Sequence, residues 1–196
     1  MATGNTQNVY AAEPSATGAA FVAPLGTALP TAVDTPLNAA FVSLGYVGED
    51  GITETTDRST DEKKDMGMDV VKVLQTDYTH EFSFVLLESL NANVLKAIYG
   101  ADNVTVTPAN STHGNQVSVK KTSKKLPKQA WVFDTIDSEL GAKYRNVVAQ
   151  GQVTSVGDVV LSAGDTIEYE VTLKVFKGDD GAYVRTYTDD GAVQGS

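Results

Sequence analysis

The chain has 196 residues, with 25 acidic side chains against 15 basic ones, a formal charge of -10 and no cysteine. That balance argues against a surface built to grip nucleic acid, which needs clustered Lys and Arg. The missing thiols exclude a disulfide framework and a thiolate metal site. The length suits one domain with a real core plus an arm. Arg58 is the first basic residue, so there is no positively charged n-region of the kind a signal peptide carries. No apolar run approaches the roughly 20 residues that span a bilayer. A soluble protein is expected, with no membrane partner, resident in the cytoplasm of the cell that makes it.

Residues 1–38 read as an extended N-terminal arm. Pro14, Pro24, Pro30 and Pro36 recur at intervals that block helix and sheet interior alike. Apolar residues are scattered, and Phe21, Val22, Leu25 and Leu29 are the candidates for ordering this arm against a partner. The body, residues 39–196, reads as largely β. Its first strand is expected over 39–47, closed by the turn Gly48-Glu49-Asp50-Gly51. After Ile52 to Thr56, residues 57–69 form a long charged loop with almost nothing apolar to bury. Its members include Asp57, Arg58, Asp61, Glu62, Lys63, Lys64, Asp65, Met66, Met68 and Asp69. A structureless connection of this length inside a compact domain is uncommon and points to function.

Strands follow at 70–76 and 79–87. Ser89 then caps a helix over 89–99, in which Leu90, Val94, Leu95 and Ile98 share a stripe at helical spacing, and Gly100 takes the left-handed C-cap. Further strands are expected at 116–120, 130–136, 144–154 and 156–161. Residues 166–176 alternate most strictly, with Ile167, Tyr169, Val171, Leu173 and Val175 on one face. A turn at 177–181 leads into 182–188 as its hairpin partner.

Chemistry is sparse. The only imidazoles are His80, expected to face solvent from a strand, and His113 in a polar loop. The two lack the short helical spacing of zinc ligands, and no Gly-rich phosphate loop or nucleophile elbow is present. Asp179-Asp180-Gly181 and Asp189-Asp190-Gly191 read as Asp-Gly turns, since they lack the ligand spacing of a calcium loop. The sequence therefore predicts no active site, no cofactor and no metal.

Charge is segregated instead. Between residues 49 and 69 there are eight acids against Arg58, Lys63 and Lys64. Between 114 and 128 there is no acid, while Lys120, Lys121, Lys124, Lys125 and Lys128 form a basic cluster. Two solvated loops, a nucleic-acid site or a contact between copies would each account for this. The last, being head to tail, generates rings or filaments from one sequence.

Three runs carry a resemblance. They are Ala23-Pro24-Leu25-Gly26-Thr27-Ala28-Leu29-Pro30-Thr31, then Leu44-Gly45-Tyr46-Val47-Gly48-Glu49-Asp50-Gly51-Ile52-Thr53, then Val70-Val71-Lys72-Val73-Leu74-Gln75-Thr76-Asp77-Tyr78. The third is followed by Phe82-Ser83-Phe84-Val85-Leu86-Leu87-Glu88-Ser89 and by a helix ending in Tyr99-Gly100. In this order they resemble the major tail tube proteins of long-tailed bacteriophages, especially those infecting actinobacteria. The resemblance implies a mainly β fold, a β-sandwich or partial barrel with one flanking α-helix. It implies six-fold rings stacked into a hollow tube, with the loop over 48–69 reaching the next ring and an acidic lumen that passes double-stranded DNA. The implied partners are further copies of the chain and other tail proteins (tape measure, terminator and distal tail proteins), in a virion assembled in the host cytoplasm. Where the family is expected to carry a bulky aromatic in that loop, this chain has Met66-Gly67-Met68. The immunoglobulin-like domain that some relatives append is not expected here, for want of room after Ser196. The competing expectation is a β-sandwich binding module, a decoration or receptor-binding protein using residues 57–69 or the turn at 177–181. An enzyme ranks third and would need a cleft setting His80 or His113 beside a carboxylate.

Overall fold

A computed structural model describes residue 5 and residues 8–192; the outermost residues of the expected arm lie outside these. In chain order the strands are β1 (Glu13–Pro14), β2 (Ala20–Pro24), β3 (Val42–Ser43), β4 (Val47–Lys64) and β5 (Val70–Leu86). Helix α1 (Ala92–Tyr99) follows, then β6 (Val104–Thr107), β7 (Gln116–Val119), β8 (Gln129–Ile136), β9 (Lys143–Val156), β10 (Tyr169–Phe176) and β11 (Val184–Asp189). The main sheet is antiparallel in the order β3-β2-β8-β9-β10-β5-β4, with β1 added on β8 and β11 on β9. A separate pair, β6-β7, lies apart from it. The fold is mainly β with one helix, as the sequence implies, and the sheet does not close into a barrel.

It curls strongly nonetheless. Phe82 on β5 and Phe133 on β8 have ring centroids 4.7 Å apart. Three strand intervals separate β5 from β8, about 14 Å if the sheet were flat. Glu54 on β4 likewise reaches Asn146 on β9. Alternation explains the curl, because most of the large apolar side chains point to one concave side. Phe82, Phe84, Leu86, Trp131, Phe133, Val148, Val153, Val171, Leu173 and Val175 fill it, and Val94, Leu95, Ala97 and Ile98 of α1 close over them. Strand β10 shows the expected alternation, with Tyr169, Val171, Leu173 and Val175 buried.

The N-terminal segment is extended, and it is woven into the body. Strand β2 pairs with β8 from Ala20 opposite Phe133 to Pro24 opposite Gln129. Its first four residues, Ala20, Phe21, Val22 and Ala23, are all buried, as expected of a strand covered on both faces. Ala20 and Val22 join the concave core, while Phe21 and Ala23 form a second cluster with Phe41, Ala130, Val132 and Val147 beneath Leu29 and Leu37. Arg145 fastens this covering segment. It pairs with Asp134 through Nε at 2.6 Å and Nη2 at 2.8 Å, and its Nη1 donates to the carbonyls of Ala32 and Thr35.

Several elements differ from expectation for identifiable reasons. Between 39 and 47 only Val42–Ser43 is a strand before β4 begins, because Gly45 sits at φ +75 and breaks the run. The helix starts at Ala92, capped by Asn91 and not Ser89; the Asn91 side chain accepts from the Asn93 backbone N–H. Leu90 is thereby left outside the stripe and exposed. Gly100 does have positive φ, but with ψ 137 it is not a left-handed helical cap. Residues 157–161 carry no strand, and Val160 and Leu161 are exposed. Strand β11 does not turn back on β10. It pairs with β9 from Val184 opposite Val148 to Asp189 opposite Lys143, while β10 runs along β9 from Val171 opposite Val156 to Phe176 opposite Gln150. The two are collinear, and 177–183 is an excursion between them. Arg185 pairs with Asp180 at 2.5 Å across it.

The largest difference concerns residues 57–69. The connection is long and projects, but it is paired. The ladder of β4 with β5 continues from Asp57 opposite Thr79 to Lys64 opposite Val70, with irregularities after Ser59 and Lys63. Only 65–69 remains as a turn.

Candidate assembly surfaces

Strand β10 covers β5 only at residues 81–86. Residues 70–80 have no ladder partner but β4, so a two-stranded ribbon runs about 35 Å beyond the sheet at the usual rise per residue. Its side chains are polar on β4, where Thr55, Thr56, Ser59 and Thr60 supply strand propensity without burial. Contacts across and along the strands brace it. The Arg58 guanidinium lies 4.5 Å from the centroid of the Tyr78 ring, and its Nη1 donates to Gln75 Oε1. Lys63 pairs with Asp61 at 2.5 Å, and Lys64 stands 4.0 Å from Glu62. Asp57 is exposed near the base.

At the tip the Asp65 carboxylate accepts from the backbone N–H groups of Gly67 and Asp69, both at 2.9 Å. Met68 is held at φ +70, a left-handed conformation uncommon for any residue but Gly, Asn or Asp. Met66 is fully exposed and Met68 is 72% exposed. Val70, Val71 and Val73 on β5 are also open to solvent.

The ribbon is rooted in a polar network that sequence reasoning missed. His80 is buried, not solvent-facing. Its Nε2 lies 2.7 Å from Glu54 Oε1, and its Nδ1 lies 3.2 Å from the Tyr78 hydroxyl. Asn146 Nδ2 donates to Glu54 Oε2, and Thr186 Oγ1 donates to Asn146 Oδ1 at 2.6 Å. The even spacing of position 80 with Phe82, Phe84 and Leu86 was the available signal. A histidine does stand beside a carboxylate here, yet both ring nitrogens and both carboxylate oxygens are engaged within the network. The arrangement ties β4, β5, β9 and β11 together at the ribbon's root. His113 meets only its own loop, bonding Asn110 and the Gly114 carbonyl.

The basic cluster lies in the irregular segment between β7 and β8. Lys121 Nζ is 5.1 Å from the centroid of the Tyr99 ring, and Lys124 pairs with Asp102 at 3.5 Å. Lys128 lies over Phe176 at 3.9 Å and donates to Gln150 Oε1. Among the described residues no carboxylate comes within ion-pair distance of Lys120, Lys121, Lys125 or Lys128. Lys121, Lys124 and Lys125 rim a cleft of about 420 Å³ floored by Ile98, Tyr99, Leu126 and Val153. Beside it, burial raises the Tyr169 phenol above its ordinary pKa, Tyr99 adds to the effect and Lys121 opposes it. A second cavity of about 480 Å³ opens between Val47, Ile52, Phe82 and Phe133, with Glu49 and Glu54 at its rim.

The structure does not bring all the expected residues together. Phe21 and Val22 lie in the subunit's own core; Leu29 is partly buried on the second cluster, and Leu25 is half exposed. The ribbon residues form one projecting element. The lysines form another surface, and no ion pair joins the two within the subunit. Among the described residues no group of three or more His, Asp or Glu could hold a metal ion, and no helix is long and apolar enough to cross a membrane.

The class is that of a curled, mainly β domain with a projecting two-stranded ribbon and a separate lysine-rimmed cleft. Comparison with known families gives the particular one. The family described as "Phage tail tube protein" matches residues 2–194, and the chain belongs to it. Among solved structures the chain is similar to the cryo-EM structure of the anti-feeding prophage cap, a tube-terminating cap. That match has 10% identity and a TM-score of 0.47, covering 92% of this chain and 94% of the other. No curated protein matches. The protein is a structural component of a phage tail tube.

Proposed function

We propose that copies of this chain self-assemble into stacked hexameric rings, forming the hollow conduit through which DNA is ejected, and that the subunit has no enzymatic role. The ribbon carries the reading. A two-stranded hairpin is marginally stable in water, and this one exposes Met66, Met68, Val70, Val71 and Val73. Such an element gains its order from contacts with another molecule, and family membership makes a second copy the first candidate. The ribbon is then the inter-ring element, replacing the loop expected over 48–69. The charge of -10 suits a wall past which phosphate slides without being held. Tape measure, terminator and distal tail proteins are the further partners of such a tube, which is built in the host cytoplasm and carried in the virion.

Negative-stain microscopy of the purified chain tests the reading, with rings or tubes expected. A variant in which residues 60–75 are replaced by Asn-Gly keeps the root network and Tyr78. It is expected to fold as a monomer that no longer polymerises. Tubes of normal length from this variant would overturn the stacking role of the ribbon. A small species of fixed stoichiometry from the unaltered chain would favour a binding module.

A further inference from the structure

We infer that the ribbon tip of one copy seats in the lysine-rimmed cleft of another, with the Met66 side chain over Ile98, Tyr99, Leu126 and Val153. Asp65 and Asp69 then face Lys121 and Lys125. The inference rests on the self-assembly proposed above and names the receiving surface.

Four observations converge on it. The tip is apolar at its apex and acidic at its flanks, in the order Asp65-Met66-Gly67-Met68-Asp69. The cleft is its inverse, apolar at the floor and basic at the rim. Just below the tip Asp61 pairs with Lys63 and Glu62 with Lys64, whereas among the described residues Asp65 and Asp69 have no ion-pair partner, so both tip carboxylates are open to one. Finally, Met68, two residues from Met66, is held at φ +70 and exposed, at a backbone cost that a glycine would avoid. A thioether presented at a turn apex is an adaptable apolar contact.

Geometry excludes seating within one copy. The cleft is lined by Gln152 and its neighbours, and Gln152 is in register with Glu81 through Lys174. That is the level of the ribbon's root, and the tip stands about 35 Å further along the strands. The contact is therefore heterologous, joining different surfaces of successive copies, and it propagates without limit unless the rotation closes. The second cavity has the more apolar lining, but Glu49 and Glu54 at its rim would oppose Asp65 and Asp69. Like charges set against each other at an interface disfavour the wrong register.

The chain has no cysteine, so disulfide trapping reads the contact cleanly. Full-length Met66→Cys protein is mixed with Ser123→Cys protein and, separately, with Thr135→Cys protein, which reports on the second cavity. Both mixtures are oxidised under assembly conditions, and the linked peptides are identified by mass spectrometry. A heterodimer yield at least tenfold higher with Ser123→Cys is expected. Equal or greater yield with Thr135→Cys, or tubes of unaltered appearance with no 66–123 link, overturns the cleft assignment while leaving self-assembly standing. Absence of any assembly by the unaltered chain overturns both. A charge exchange gives an independent reading. Lys121→Glu with Lys125→Glu should raise the polymerisation threshold about tenfold, and Asp65→Lys with Asp69→Lys in the same chain should restore it. A threshold that the exchange does not restore counts against the pairing.

Discussion

Gly151 is required by what lies across from it. A Cβ at this position would sit 2.8 Å from Trp131 Cδ1 and 3.1 Å from Leu173 Cδ1. Trp131 is fully buried among the core aromatics and has little room to move. Gly151→Ala should therefore cost about 1–3 kcal/mol as an overpacked core does, read as a lower urea midpoint at unchanged slope. Asp137 fixes a different corner. Its carboxylate accepts from the backbone N–H groups of Ala11, Glu139 and Leu140, and the Ala11 bond is the largest cause holding its pKa below the ordinary carboxylate value. A depressed folded pKa stabilises the fold above the unfolded value of 3.8 and loses that contribution as pH falls through the folded one. The expected result is a stability that drops below about pH 4, and Asp137→Asn should flatten the dependence in that window. An acid-titration melt of the two proteins compares them directly.

At the scale of elements, the ribbon's hold on the body is polar. His80→Leu would leave the Glu54 carboxylate short of its partner, and an unsatisfied, partly buried group costs about 1–3 kcal/mol. Hydrogen exchange should rise first in residues 54–60 and 77–80, before any change at α1; uniform loosening would show that the network does not act at the root. How far such elements can be read from sequence depends on whether one face is buried. Strand β10 was legible because Tyr169, Val171, Leu173 and Val175 alternate with polar residues. The α1 stripe of Val94, Leu95 and Ile98 was legible at helical spacing, though its start was not, since Ser89 and Asn91 are both competent caps. The ribbon was not legible because both its faces meet water. It has no apolar period, and charged residues such as Asp61 to Lys64 read as a loop. Strand β6 alternates too, Val104-Thr105-Val106-Thr107, but four residues are too few to stand out beside a helix. The sequence points β11 to the wrong neighbour because a Gly-Asp turn signals a reversal, whereas here the chain leaves β9 and rejoins it. The projecting and basic residues were nameable from charge alone; the cleft beneath the lysines was not, since it is made by α1 and β9 together.

For the whole molecule, net charge sets behaviour toward polyanions. Five lysines lie between 120 and 128 on a chain of charge -10, so long-range repulsion opposes the local attraction. Double-stranded DNA should bind the free subunit weakly or not at all in a low-salt mobility-shift titration. Submicromolar, salt-sensitive binding would instead promote the lysine segment to a nucleic-acid site.

Strand order also governs timing. The ribbon emerges from the ribosome early, yet β5 finds its place in the sheet only against β10, where residues 81–86 meet residues 169–174. Domains in general begin folding from the N-terminal side during synthesis, and contacts this distant in sequence form late. Until residue 174 has been made, β5 lacks this sheet neighbour, and the projecting hairpin has no scaffold on that side to aim it. On the self-assembly proposed above, a nascent chain would gain an aimed ribbon only once β10 has joined the sheet beside β5.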